Sequence, residues 1–185
     1  MRMMALALFL CTLLAPCLPS HADQEQPTQE QVEQAELEAI RRRVQGYTNL
    51  RHAYRNLKEA EAAIFADAPL GEEPEITEAV QEMLDEAITL AEIAKFLMPE
   101  LGADANLVIA NCHWTMGDLE QTEAFYTAAL DVDPARDDIL SARVSVRILL
   151  EDWLGAERDI YRLAEIGSEF GTDAALEFNA ARERQ

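Results

Sequence analysis

One helical pattern occurs twice in this chain, at a spacing of 34 residues. In each copy, two apolar-periodic segments flank a short turn that ends in an aspartate. The two aspartates, Asp118 and Asp152, are 34 residues apart, as are Ala129 and Leu163. A unit of this length cannot bury its apolar side alone, so such units stack on one another. The spacing therefore restricts the chain to stacked helix–turn–helix pairs.

Prolines separate the helical segments along the rest of the chain. Pro27, Pro69, Pro74, Pro99 and Pro134 all fall between apolar-periodic stretches, where a proline removes no helix hydrogen bond. No segment alternates apolar and polar residues in the way of a half-buried strand. We therefore predict an all-α fold of about seven helices, built from antiparallel pairs.

The predicted organisation has five parts. Thr28 and Gln31 have the spacing of a capping box, so a long first helix should begin near Gln29. Leu176 and Phe178 belong to a last amphipathic helix that would close the apolar end of the stack. The predicted parts are a signal peptide (1–22), a flexible linker (23–28), an N-terminal helical hairpin (29–101), two repeat units (102–170), and a closing helix with a tail (171–185).

The two units resemble tetratricopeptide repeats. Gly117, Asp118 and Leu119 match the turn of that family, and Asp133 with Pro134 matches its closing proline. The aromatic and small positions of the second helix are also filled, by Tyr126, Ala129 and Leu130. The resemblance implies a short right-handed solenoid of antiparallel helix pairs.

The resemblance weakens outside the first unit. The second unit keeps Ala156 and Leu163, but Arg143 and Arg147 stand where apolar residues are expected. A stretch from Asp85 to Pro99 resembles the second helix of a further, partial copy. The first helix of the chain would then take the place of that copy's missing partner.

The first 22 residues have the features of a secretory signal. Arg2 is followed by an apolar stretch that is too short to span a bilayer, and Ser20 and Ala22 occupy the positions that a signal peptidase reads. We predict cleavage after Ala22 and export, to the periplasm or the exterior. The alternative is a lipoprotein, because the sequence before Cys17 resembles a lipobox, although Pro16 departs from it. Membrane contact is expected only if Cys17 is lipidated.

The charge of the remaining chain is strongly acidic. Without Arg2, the one charged residue of the signal, 14 basic and 35 acidic residues give a net charge of −21. Nucleic-acid binding needs an excess of basic residues to displace counterions, so we expect no nucleic-acid partner. A protein or peptide partner fits this charge better.

The sequence has no recognisable catalytic or metal-binding motif. After the signal it keeps only Cys112, His52 and His113 among the usual metal ligands other than carboxylates. Cys112 and His113 are adjacent on a helix and so point about 100° apart rather than toward one metal ion. We therefore expect a protein that is not an enzyme and that uses no cofactor.

The resemblance also implies where a partner would bind. Tetratricopeptide stacks hold partners in a groove lined by the first helix of each unit, and on this chain a tryptophan could anchor a segment while an asparagine holds its backbone. Packing within the domain is an equal alternative for Trp114. Arg143 and Arg147 could clamp a carboxylate, although pairing with Asp131, Asp133 or Asp159 is favoured. The predicted groove residues are Leu107, Asn111, Trp114, Thr115, Ser141, Ser145 and Ile148.

The first helix carries six basic residues and no acid from Ile40 to Lys58. Three of them, Arg51, Arg55 and Lys58, follow the spacing i, i+4, i+7 and form a basic strip on one face. We expect the strip to pair with Glu82 and Glu86 of the second helix.

Two other uses of the first helix stay open. The basic strip could dock an anionic envelope polymer, a phospholipid or a partner protein. The heptad-like apolar stripe of the same helix could instead join two copies in a homo-oligomer, so that the protein is structural rather than a binding module.

Overall fold

The computed structural model describes residues 28–67 and 76–184, and within these ranges the regular structure is entirely helical. The all-α prediction is therefore confirmed. The signal peptide, Cys17 and nearly all of the linker fall outside the described residues. The helices are α1 (Gln29–Asp67), α2 (Glu78–Leu97), α3 (Gly102–Thr115), α4 (Leu119–Val132), α5 (Asp137–Leu149), α6 (Trp153–Glu165) and α7 (Phe170–Arg182), with a 3₁₀ turn at Pro99–Leu101 before α3.

Contacts divide the chain into two units, residues 1–37 and 38–185. The described part of the first unit is the beginning of α1, and all of it is exposed. Its first turn has the predicted capping box: the Thr28 N–H donates to Gln31 Oε1 at 2.8 Å, and the Gln31 N–H donates to Thr28 Oγ1 at 3.3 Å. These bonds satisfy two donors that a helix start would otherwise leave without partners.

In the second unit, each helix from α2 to α6 packs on the next one along the chain, and α5 also packs on α7. The short turns make successive helices antiparallel, and the contacts of the α5–α6 hairpin show this directly. Arg147 lies four residues before Glu151 and bonds Gly155, four residues after it. Arg143, eight residues before Glu151, bonds Asp159, eight residues after it.

The repeat units end their first helices in the same way. Gly117 has φ 77°, and the N–H of Asp118 donates across the turn to the carbonyl of His113. At the equivalent place in the next unit, Glu151 has φ 59° and Asp152 donates to the carbonyl of Arg147. These left-handed turns satisfy the last carbonyls of the helix. Each aspartate side chain then caps the next helix, by accepting from the N–H three residues on.

Two clusters of buried side chains form the interior of the second unit. One joins α1, α2 and α3 through residues such as Leu57, Leu84 and Ile109. The other joins α3 to α7 through residues such as Ala129, Val144 and Leu163. No described helix is both long and apolar enough to cross a membrane.

Within this unit, α1 packs on the other helices from Gly46 onward. A Cβ added at Gly46 would lie 2.8 Å from Cγ and Sδ of Met98, so a larger residue here would force the Met98 side chain to move. Asn49, Leu50, Ala53 and Leu57 follow on the same side and are buried. The opposite side of the helix remains in solvent.

Candidate functional site

The predicted groove residues of α3 include one polar side chain held in a fixed orientation. The hydroxyl of Tyr126, on α4, donates to Asn111 Oδ1 at 2.7 Å. Tyr126 is buried, and this burial, reinforced by the charge of Asp138, raises its pKa to about 12. The hydroxyl therefore stays protonated as a donor, and the amide group of Asn111 is left to face other partners.

Trp114 lies one helical turn from Asn111 on α3. Its side chain is 43% exposed, so it is only partly used in packing. The spacing i, i+3 places the two residues on neighbouring positions of one helix face. Thr115 is half-buried and its hydroxyl bonds the carbonyl of Asn111 at 2.9 Å, which occupies it within the helix. Leu107 is half-buried against the second cluster.

The groove residues predicted on α5 are placed less uniformly. Ser141 is half-buried, and Ser145 donates to Glu177 of α7 at 2.8 Å. Ile148 was predicted to face a partner, but it is buried in the second cluster. It follows Leu140 and Val144 at intervals of four residues, and both are buried, so this side of α5 faces the interior. The face that remains available consists of Leu107, Asn111, Trp114, Ser141 and Ser145.

One arginine joins the starts of α3 and α5. The Arg136 guanidinium donates two bonds of 2.8 Å to the Asp138 carboxylate and one of 2.8 Å to Asp104. The bonds from Arg136 lower the pKa of Asp138. Asp104 and Asp138 stand 34 residues apart, at the same position of successive units. The link therefore fixes the spacing of the two helices that carry the candidate face.

Arg143 and Arg147 do not offer a site for an external anion. Arg143 holds the carboxylate of Asp159 by two bonds, of 2.8 and 2.7 Å, and Arg147 bonds the same carboxylate at 2.8 Å. Arg147 also bonds Glu123 at 2.6 Å. Arg143 and Asp159 are only 5% and 1% exposed. The favoured pairing with Asp159 is confirmed. At the two positions where apolar residues were expected, the chain instead has a buried ionic network that joins α4, α5 and α6.

The network explains the glycine inside α6. A Cβ at Gly155 would collide with the Asp152 carboxylate and lie 3.0 Å from Arg147 Cδ. Without a side chain at this position, Arg147 reaches across to the Gly155 carbonyl at 3.2 Å. The glycine thus makes room for the arginine.

The predicted pairing of the basic strip with α2 is wrong. Arg55 Nε lies 3.7 Å from Glu59 Oε1, and Lys58 Nζ lies 2.6 Å from Glu61 Oε2. Both ion pairs therefore lie within α1. The physical reason is the side of α1 on which the strip lies. The face of α1 that meets α2 carries Ala53 and Leu57, whereas the strip lies on the solvent side.

Cys112 and His113, two reactive side chains of α3, take part in packing. Cys112 is buried, and burial, with smaller contributions from Glu61 and Asp85, raises its pKa to about 12. His113 stacks on Phe125 with ring centroids 5.4 Å apart. Among the described residues, no group of three or more potential ligands could hold a metal ion.

Comparison with known proteins adds no assignment: no family model matches the chain, and no curated protein matches it significantly.

Sequence reasoning did not identify Arg136 or Glu177, which hold Asp104, Asp138 and Ser145. Asp104 and Asp138 recur at the same position of the 34-residue spacing, but their side chains are 43% and 47% exposed, so the sequence gives no reason to expect a shared arginine. No signal in the sequence points to Glu177, since its partner lies on a helix outside the repeated pattern.

Proposed function

We propose that this chain is an exported, tetratricopeptide-like interaction module that holds a peptide or protein segment against the face formed by α3 and α5. On this proposal it acts by binding rather than by catalysis. The helix pairs stack in the right-handed sense of that family, and the first helix of each unit faces the partner.

The observation that supports this function best is the pair Asn111 and Trp114. Tyr126 occupies the carbonyl oxygen of the Asn111 amide, and the two N–H donors of that amide have no hydrogen-bond partner among the described residues. A peptide carbonyl is a suitable acceptor for them. The exposed indole of Trp114 supplies a large apolar surface with one N–H, as anchor residues of interfaces commonly do.

Two further features favour a preorganised face. The Arg136 link holds α3 and α5 at a fixed separation, and the bond from Ser145 to Glu177 ties α5 to α7. A face whose residues are already fixed loses less conformational entropy when a partner binds. Ser141 adds a short polar side chain on the same helix.

Site-specific photo-crosslinking tests this function. A photoreactive amino acid is placed at position 114 in the producing cells, and a matched chain carries it at Tyr161, an exposed aromatic residue of α6. We expect a discrete crosslinked product from position 114 and none of that mass from position 161. Adding Asn111→Ala to the first chain should reduce the product at least several-fold. The proposal fails if both positions give the same products, or if Asn111→Ala leaves the product unchanged.

A further inference from the structure

The solvent face of α1 between Ile40 and Lys58 combines exposed apolar and basic residues. Ile40, Val44 and Tyr47 are each more than half exposed. Arg51 and Lys58 continue the same line, because positions 4, 7, 11 and 18 residues after Ile40 all fall on one side of a helix. At 1.5 Å per residue, this face is about 28 Å long.

Basic residues also flank the apolar line on both sides. Arg41 and Arg43 lie to either side of Ile40 and Val44, and Arg55 lies beside Arg51. The sequence has no acidic residue from Ile40 to Lys58, although acids outnumber bases elsewhere. Five of the six basic residues of this segment therefore lie on or beside one face of α1, and Arg42 lies on the opposite side.

Much of this positive charge has no internal partner. Among the described residues, no carboxylate lies within 4.0 Å of the guanidinium groups of Arg41, Arg43 or Arg51. Arg55 and Lys58 pair only with glutamates of their own helix. Exposed pairs of this kind are weak and exchange readily with other anions.

We propose that this face of α1 binds the surface of membranes that contain anionic phospholipids. Phosphate groups match the arginines, which bind them in a bidentate way. The acyl region just below the phosphates accepts Ile40, Val44 and Tyr47, and tyrosine suits the boundary between the two. A membrane interface presents anionic and apolar layers together along a flat surface, as this face requires.

A second copy of the chain fits this face less well. Because no acid lies between Ile40 and Lys58, pairing the face with itself would bring only like charges together. The proposal does not depend on the peptide-binding face, which lies on other helices.

Vesicle co-sedimentation of the full chain tests the proposal. Vesicles of phosphatidylglycerol and phosphatidylcholine are compared with vesicles of phosphatidylcholine alone, which measure the background from the apolar N-terminal stretch. We expect stronger binding to the anionic vesicles, and a loss of that difference at 0.5 M salt because screening shortens the reach of the charges.

Three variants locate the binding. Arg41→Gln/Arg43→Gln/Arg51→Gln removes no ion pair among the described residues and should weaken anionic binding about 100-fold, since each base near such a surface contributes about fivefold. Ile40→Ser/Val44→Ser/Tyr47→Ser should weaken it as well. The matched control is Leu154→Ser/Arg158→Gln/Tyr161→Ser on α6, which also changes exposed apolar and basic residues and should bind like the parent chain.

Several outcomes would overturn the proposal. It fails if the parent chain binds both vesicle types equally, or if the α1 arginine variant binds as well as the parent. Equal loss in the α6 control would also contradict it. Light scattering is run on the same samples. If the parent chain forms a dimer that the α1 serine variant cannot form, and the parent does not bind vesicles, the face joins two copies of the chain instead. Circular dichroism of each variant verifies that the helices are retained.

Discussion

Removing the carboxylate of Asp159 should be the most damaging single change in the α4–α6 region. The side chain accepts three bonds from Arg143 and Arg147, all between 2.7 and 2.8 Å, and is almost completely buried. In Asp159→Ala, Arg143 keeps only its bond to Thr127, while Arg147 retains Glu123. One buried guanidinium thus loses its counter-ion.

The expected cost follows from this burial. Breaking a buried ion pair by removing one partner typically costs about 3–5 kcal/mol, because the other charge stays out of water without compensation. Total stabilities of domains lie at about 5–15 kcal/mol, so the variant should lose a large fraction of its stability. Replacing both partners by apolar residues, as in Arg143→Met/Asp159→Leu, should recover most of that loss.

Chemical denaturation followed by circular dichroism measures these effects. The matched control is Asp138→Asn, which breaks a bidentate arginine pair of similar geometry in a more exposed place, where Arg136 is 26% exposed. We expect the control to cost at most about 1 kcal/mol. A loss below about 1 kcal/mol for Asp159→Ala, or a double variant no more stable than the single one, would refute the reasoning from burial.

Three further predictions concern the turns and the buried titratable groups. Glu151→Gly should raise the free energy of unfolding by about 0.5–1 kcal/mol, because Glu151 has a left-handed backbone conformation that glycine adopts more easily. Gly117→Ala should lower the free energy of unfolding by about the same amount, because Gly117 has the same conformation. Both changes are measured as shifts of the denaturant midpoint. Tyr126 has a raised pKa in the folded state, so its contribution to stability is complete below pH 10 and is lost as the pH rises toward 12. Between pH 9 and pH 11 the free energy of unfolding, measured by denaturant titration, should fall by about 1 kcal/mol less in Tyr126→Phe than in the parent chain. An equal fall in both chains would contradict the raised pKa of Tyr126. At pH 8 a thiol reagent should label Cys112 only after unfolding. Because the chain also has Cys11 and Cys17, labelling is read by peptide mapping, and rapid labelling of Cys112 itself in the native chain would contradict its burial.

The local features of this fold were predictable because they depend on neighbouring residues. Both ends of α4 are marked in the sequence: Asp118 caps its start, and the helix ends at Val132, before Pro134. The start of α3 has no such mark. The 3₁₀ turn of Pro99–Leu101 leads directly into the helix at Gly102, without the polar cap that would have signalled the start.

Features that depend on distant contacts were less accessible. The sequence indicated that Arg143 and Arg147 need a partner and included Asp159 among three candidates, but only the packing of α5 on α6 selects it. The basic strip was paired with the wrong helix, because its charge pattern is compatible with any acidic neighbour. The direction in which the strip points depends on which face of α1 is buried, and the one sequence feature on the buried side that departs from a helical pattern is Gly46.

The arrangement of the buried ionic network has a consequence for the kinetics of folding. The hairpin turns and caps join residues close in sequence, so each hairpin can close early and quickly. The bonds of Asp159 to Arg143 and Arg147 lie within the α5–α6 hairpin and can form with it. The bonds from Arg143 to Thr127 and from Arg147 to Glu123 join that hairpin to α4, and we expect them to form after the rate-limiting step. Interactions absent from that transition state slow unfolding rather than speed folding. On this view the two bonds to α4 set how long the folded chain lasts once it has formed.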